Sequence, residues 1–258
     1  MSRNLCLIAA LLLCSCSVKE NRGACPCELL VRSDTPLKTD GNVLVSVIQN
    51  GTVVKQGMMS REDFDAGQCR LMVPRVPSTV TVFTGITGMN TVEGKRLDIR
   101  RENQCDEIYT DSAFEELAGD NHECLLNLHK NFARLSIVTI GLPDDAEVSI
   151  AGTVQGYDLY STDPCEGRFD CTPDYSGSVE GYRVRLPRQL DDGLSMNVIY
   201  GERTFRTLPI GRMIAATGYS YEDPDLLDIS ITVDFSGSYV LVNVADWETV
   251  RYPIIEFI

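Results

Sequence analysis

The stretch Val43-Leu44-Val45-Ser46-Val47-Ile48-Gln49-Asn50-Gly51-Thr52-Val53-Val54-Lys55 decides the fold class. Residues 43–48 are apolar and mostly β-branched, Asn50-Gly51 supplies the two positive-φ positions of a tight hairpin, and residues 52–55 return along the first run. The same pattern continues on both sides. Residues 79–83 (Thr-Val-Thr-Val-Phe) alternate cleanly, and residues 96–100, 124–128, 133–140, 147–154, 181–186 and 195–200 read as further strands. Residues 228–235 and 238–244 form a last pair, joined by Ser236-Gly237. Helical material is scant, with single turns expected at 60–63, where Ser60 can cap, at 112–117 and at 210–216. Many short strands punctuated by Gly, Pro, Asn and Asp predict an all-β chain of sandwiches with a few short helical turns.

Ahead of these strands stands Met1-Ser2-Arg3-Asn4-Leu5-Cys6-Leu7-Ile8-Ala9-Ala10-Leu11-Leu12-Leu13-Cys14-Ser15-Cys16. Arg3 gives a positive n-region, residues 5–13 an apolar h-region too short to span a bilayer, and Ser15 the small residue that lipoprotein signal peptidase requires before a cysteine. Bulky Leu13 disfavours the competing cut before Cys14. The expected layout is a signal peptide over 1–15, a tether lipidated at Cys16 over 16–24, and two β-sandwich domains over 25–131 and 132–258. The join falls in the polar stretch near 129–133. Several acyl chains on Cys16, palmitate among them, would make the anchor permanent.

The chain carries 23 Lys and Arg against 37 Asp and Glu, a net charge of −14, and loses one more positive charge with Arg3. Such an acidic chain is repelled by nucleic acid and by anionic headgroups, so the membrane is reached through the lipid and nucleic acid is not an expected partner. Beyond the leader lie Cys25, Cys27, Cys69, Cys105, Cys124, Cys165 and Cys171, an odd number. Export permits disulfides, and Cys165 with Cys171, flanking a turn-rich pentapeptide, is the expected bridge.

Catalytic constellations are missing from the sequence. His122, Cys124, His129 and Cys105 are metal-ligand types at a spacing that fits no zinc pattern, so they are read as structural and no metal is expected. The pairs Glu115-Glu116, Asp144-Asp145 and Asp191-Asp192 are read as solvated turn carboxylates rather than a glycosidase acid and base. Neither a nucleophile elbow nor a phosphate loop occurs, and the chain is expected to be no enzyme, with no catalytic residue and no cofactor. Tyr157, Tyr160, Tyr175 and Tyr182 are the one tyrosine cluster in sequence, and a surface glycan-binding lipoprotein is the alternative function if they share an exposed face. Asp111-Ser112-Ala113 matches the O-glycosylation acceptors of exported Bacteroidota proteins, but is read as a helix N-cap.

The tail, Tyr252-Pro253-Ile254-Ile255-Glu256-Phe257-Ile258, is apolar where exposed edges are normally charged. Either it closes its own sandwich, or Ile254, Ile255, Phe257 and Ile258 enter a groove on a neighbouring subunit.

Two groups of motifs carry a resemblance. After the lipobox comes Val18-Lys19-Glu20-Asn21-Arg22-Gly23-Ala24-Cys25-Pro26. Near the end come Leu208-Pro209-Ile210-Gly211, Asp228-Ile229-Ser230-Ile231 and Val242-Asn243-Val244-Ala245-Asp246-Trp247. In this order the chain resembles the fimbrillin-associated anchor family of the Bacteroidota, lipoproteins at the base of type V pili. The resemblance implies two tandem transthyretin-like β-sandwich domains. It also implies an outer-membrane, surface-facing location, a fibre held through Cys16, limitation of fibre length in cell adhesion, and strand exchange with a stalk fimbrillin through residues 249–258.

Overall fold

A computed structural model describes residues 25–143, 145–177, 181–201, 203–237, 239–244 and 250–253. The described chain is an all-β protein of two stacked sandwiches. In the first, a three-stranded sheet is centred on β1 (Pro26–Ser33). It faces a five-stranded sheet that includes β2 (Asn42–Gln49) and β3 (Thr52–Met59). The opening hairpin forms as read. Asn50 and Gly51 take φ 51° and 71°, and β2 pairs with β3 from Gln49 opposite Thr52. After β3, α1 (Arg61–Asp65) is capped by Ser60, whose hydroxyl accepts from the Asp63 N–H at 3.1 Å.

The chain then runs through β4 (Arg70–Pro74), β5 (Ser78–Ile86), the hairpin β6 (Asn90–Glu93) and β7 (Arg96–Ile99), β8 (Tyr109–Glu115), β9 (Asn121–Leu126) and β10 (His129–Lys130). The two sheets have the orders β4-β1-β9 and β10-β8-β5-β2-β3. Alternation sends Cys27, Leu29 and Val31 of β1, Val43, Val45 and Val47 of β2, and Val80 and Val82 of β5 into one core with Cys124 and Leu126. The outer face of β2 and β5 is covered as well, which is why residues 43–48 read as a continuous apolar run. The helical turn expected at 112–117 is a strand instead. Ser112 pairs with Thr81 across β8 and β5, and Asp111, rather than capping a helix, accepts the Asn127 N–H at 2.9 Å.

The second sandwich contains β11 (Phe132–Ile140), β12 (Ala146–Asp158), β13 (Pro164–Cys171), β14 (Asp174–Tyr175), β15 (Tyr182–Pro187), β16 (Ser195–Tyr200), β17 (Arg203–Leu208), α2 (Ile210–Ala215), β18 (Ile229–Asp234), β19 (Tyr239–Val244) and β20 (Val250–Pro253). One sheet has the order β14-β15-β11-β18-β19-β20, with β11 and β18 parallel. The other has the order β17-β16-β12-β7-β6, with β13 also on β12. Its members β6 and β7 come from before the join expected near 129–133, so this sheet draws strands from both sides of it. In the Leu208-Pro209-Ile210-Gly211 turn, Leu208 and Ile210 are buried. A Cβ on Gly211 would lie 2.3 Å from the Asp192 carbonyl oxygen, so only glycine lets this turn approach that loop.

Between the sandwiches lies a third apolar cluster of Leu44, Phe83, Ile86, Leu97, Cys105, Ile108, Phe132, Tyr157 and Leu159. No helix among the described residues is long and apolar enough to cross a membrane.

Candidate functional site

Main-chain hydrogen bonding at the two ends of the described chain is where a subunit contact would be made or refused. At its start, β1 is the middle strand of its sheet, antiparallel to β4 from Pro26 opposite Pro74 and parallel to β9 from Glu28 opposite Asn121. Both sides of its backbone are therefore used. Ion pairs across the outer face reinforce the placement: Arg70 meets Glu28 at 2.5 Å and Arg32 meets Glu123 at 3.1 Å, while Arg75 bonds the Pro26 carbonyl and pairs with Asp120. Beneath, burial pushes the Cys27 and Cys124 thiols up, so both remain protonated and pack as small apolar groups.

At the far end, β20 pairs with β19 from Val242 opposite Val250 to Tyr239 opposite Pro253, and is the outermost strand of its sheet among the described residues. Of the segment 249–258 that the resemblance assigns to exchange, residues 250–253 thus serve this chain's own sheet. Pro253 sits where an edge strand tolerates a missing N–H. Ile254, Ile255, Phe257 and Ile258 lie outside the described residues, as do the leader and Cys16.

The two sandwiches are joined by a polar staple at the linker. Tyr157, fully buried on β12, donates its hydroxyl to the Asn131 carbonyl at 2.5 Å. Arg188 bonds the Asn131 side-chain oxygen and the carbonyls of Tyr221, Asp223 (2.7 Å) and Pro224 (2.8 Å). Its burial in this ring of carbonyls lowers its pKa, outweighing the nearby Asp223 and Asp225. Asp225 accepts from the Lys130 N–H at 2.7 Å and faces His129 at 3.3 Å. Burial opposes its charge, yet those contacts hold the carboxyl below its ordinary value. Asp228 pairs with Lys130 at 2.5 Å, and Arg134 grips Glu107 through three bonds of 2.8, 2.9 and 3.2 Å.

The other candidate residues are dispersed. His122 meets Glu115 at 2.7 Å, His129 belongs to the staple, Cys105 is buried against Tyr157, and no group of metal-ligand types occurs among the described residues. Asp191 holds its own turn through the Gly193 N–H and the Thr153 hydroxyl. The four tyrosines do not share a face. Tyr157 is buried, Tyr160 lies under Lys95, and Tyr175 and Tyr182 pair with each other at 4.9 Å between ring centres.

The expected Cys165–Cys171 bridge is corrected. Both thiols are free and both residues sit on β13, opposite Gly156 and Ile150. Six Cα-to-Cα steps of extended strand separate their Cα atoms by roughly 20 Å, far beyond the ~7 Å that a disulfide tolerates. The intervening Glu-Gly-Arg-Phe-Asp had read as a turn because of its glycine and charges; strand pairing with β12 overrode that local preference.

No protein-family model matches the chain, and a search of curated proteins finds no significant match. Solved structures do match. A DUF1812 protein from Bacteroides thetaiotaomicron VPI-5482, described as a candidate polysaccharide-binding protein, aligns at TM-score 0.68 and 14% identity, covering 88% of this chain and 98% of its own. A candidate adhesin from Bacteroides ovatus aligns at TM-score 0.62 and 12% identity, over 88% and 95%. The fimbrial anchor protein Mfa2 from Porphyromonas gingivalis aligns at TM-score 0.61 and 12% identity, over 86% and 98%. At these identities the likeness is one of fold, and the chain has the fold of the fimbrial anchor Mfa2.

Proposed function

We propose that this protein is an outer-membrane lipoprotein at the base of a type V fimbria, tethered through Cys16, where it ends the fibre and limits its length. The observation that carries the reading is the contrast between the two ends. The slot at the centre of the first sheet is filled by the chain's own β1, locked on both sides, so an incoming strand finds no vacancy there. The last sheet ends instead on an edge strand that leads into the apolar residues Ile254 to Ile258. A subunit that offers a strand and accepts none ends a polymer built by strand exchange, and the fold shared with Mfa2 supports the same reading. Nine residues separate Cys16 from Pro26, at most about 35 Å of extended chain, which would hold the first sandwich close to the membrane surface.

The test is fractionation of Cys16→Ala. The protein is expected to leave the membrane fraction for the periplasm or medium, and the cells to shed fibres. Unchanged membrane fractionation would overturn the anchor.

A further inference from the structure

Although the four tyrosines share no common face, Tyr175 and Tyr182 do, and from that pair we infer that the second sandwich carries a binding site for a neutral pyranose, in the slot between its two sheets beside Tyr175. The slot has a volume of about 390 Å³ and its lining includes Thr139, Leu142, Pro143, Thr172, Tyr175 and Tyr182. That size suits one or two sugar rings. Tyr182, on β15, shares the inward row of Val184 and Leu186, and Tyr175 lies directly opposite it on β14. Tyr175 therefore sits on the inner face of its sheet, yet is 61% exposed. An inward-facing tyrosine left open to solvent presents an apolar ring face with a polar tip, the complement of a pyranose with its C–H face and its hydroxyl rim.

The rest of the lining fits that ligand. Thr139 and Thr172 add hydroxyls. No Lys or Arg is among the described residues that line the slot, so a sialylated or uronic sugar would find no compensating cation among them. The larger cleft, of about 620 Å³ beside Glu93 and Arg168, lacks these features. Its aromatic residue, Phe169, is buried, and Arg168 is engaged by Asp170 at 2.5 Å. The site is independent of the strand contacts at either end of the chain, so it stands or falls apart from the anchor reading.

The experiment is affinity electrophoresis of the full-length Cys16→Ala chain through gels containing yeast mannan, dextran or polygalacturonate. Retardation is expected in at least one neutral gel and not in polygalacturonate. Tyr175→Ala, exposed and so expected to fold with an unchanged circular dichroism spectrum, should weaken the apparent affinity about tenfold, equal to ~1.4 kcal/mol. Tyr175→Phe should retain most of it. No retardation in either neutral gel, retardation that Tyr175→Ala leaves intact, or stronger retardation by polygalacturonate would each overturn the site.

Discussion

The hydroxyl of Tyr157 donates a 2.5 Å hydrogen bond to the carbonyl of Asn131, binding a fully buried side chain of the second sandwich to the residue at which the chain leaves the first. The same hydroxyl accepts from the Arg188 N–H at 3.2 Å. Such a joint keeps the two sandwiches from swinging independently, as the proposed anchor role would require.

Tyr157→Phe keeps the packing against Phe83 and deletes the bond. A loss of about 1–2 kcal/mol in urea unfolding is expected, since a buried carbonyl loses its strongest partner. Unchanged stability would mean that the joint rests on apolar packing alone.

Arg188→Met removes the donor from three main-chain carbonyls at once, those of Tyr221, Asp223 and Pro224. The loop they belong to should then exchange amide hydrogens faster than in the native chain, at a cost of about 2–4 kcal/mol in global stability. Hydrogen exchange by mass spectrometry checks this. Protection unchanged over residues 219–227 would show the loop to be held otherwise.

Thiol chemistry gives a pH prediction. Burial pushes Cys69 up to about 11 and Cys171 up to about 12, and raises Cys105 and Cys124 further, all from 9.0. Above pH 9 the unfolded chain gives up thiol protons that the folded chain keeps, so unfolding becomes easier as pH rises; below pH 9 the thiols are protonated in both states and contribute no slope. A midpoint in urea that falls between pH 9 and 10.5 is expected. Native iodoacetamide labelling at pH 8 should reach only the half-buried Cys25 and Cys165, with all seven thiols labelled after unfolding. A mass two daltons lower, with Cys165 joined to Cys171, would contradict the strand placement of β13.

The parts of the fold legible in the sequence were those set by local rules. Asn50-Gly51 dictates its hairpin, Ser60 caps α1, and the alternation at 79–83 marks β5. What stayed hidden depends on partners far along the chain. Residues 112–115 have a capping pattern but are drawn into β8 by pairing with residues 78–81. β1 begins with Pro26 and carries Glu28 and Arg32 on its outer face, and only its placement between β4 and β9 shows it to be a central strand. The staple was illegible for a related reason, because Asn131, Tyr157, Arg188 and Asp223 converge from four separate segments. Of the candidate contact residues, composition marked the tail as apolar but could not say that residues 250–253 extend the chain's own sheet.

Copurification of the stalk fimbrillin with a chain ending at Pro253 is the decisive measurement. β20 stays intact in that truncation, so the protein should fold with its native unfolding midpoint, remain in the membrane fraction through Cys16, and fail to bring down the stalk subunit that the full chain is expected to retain. A truncated chain that folds, stays in the membrane and still retains the stalk would show that Ile254, Ile255, Phe257 and Ile258 do not make the joint, and that the fibre is held elsewhere.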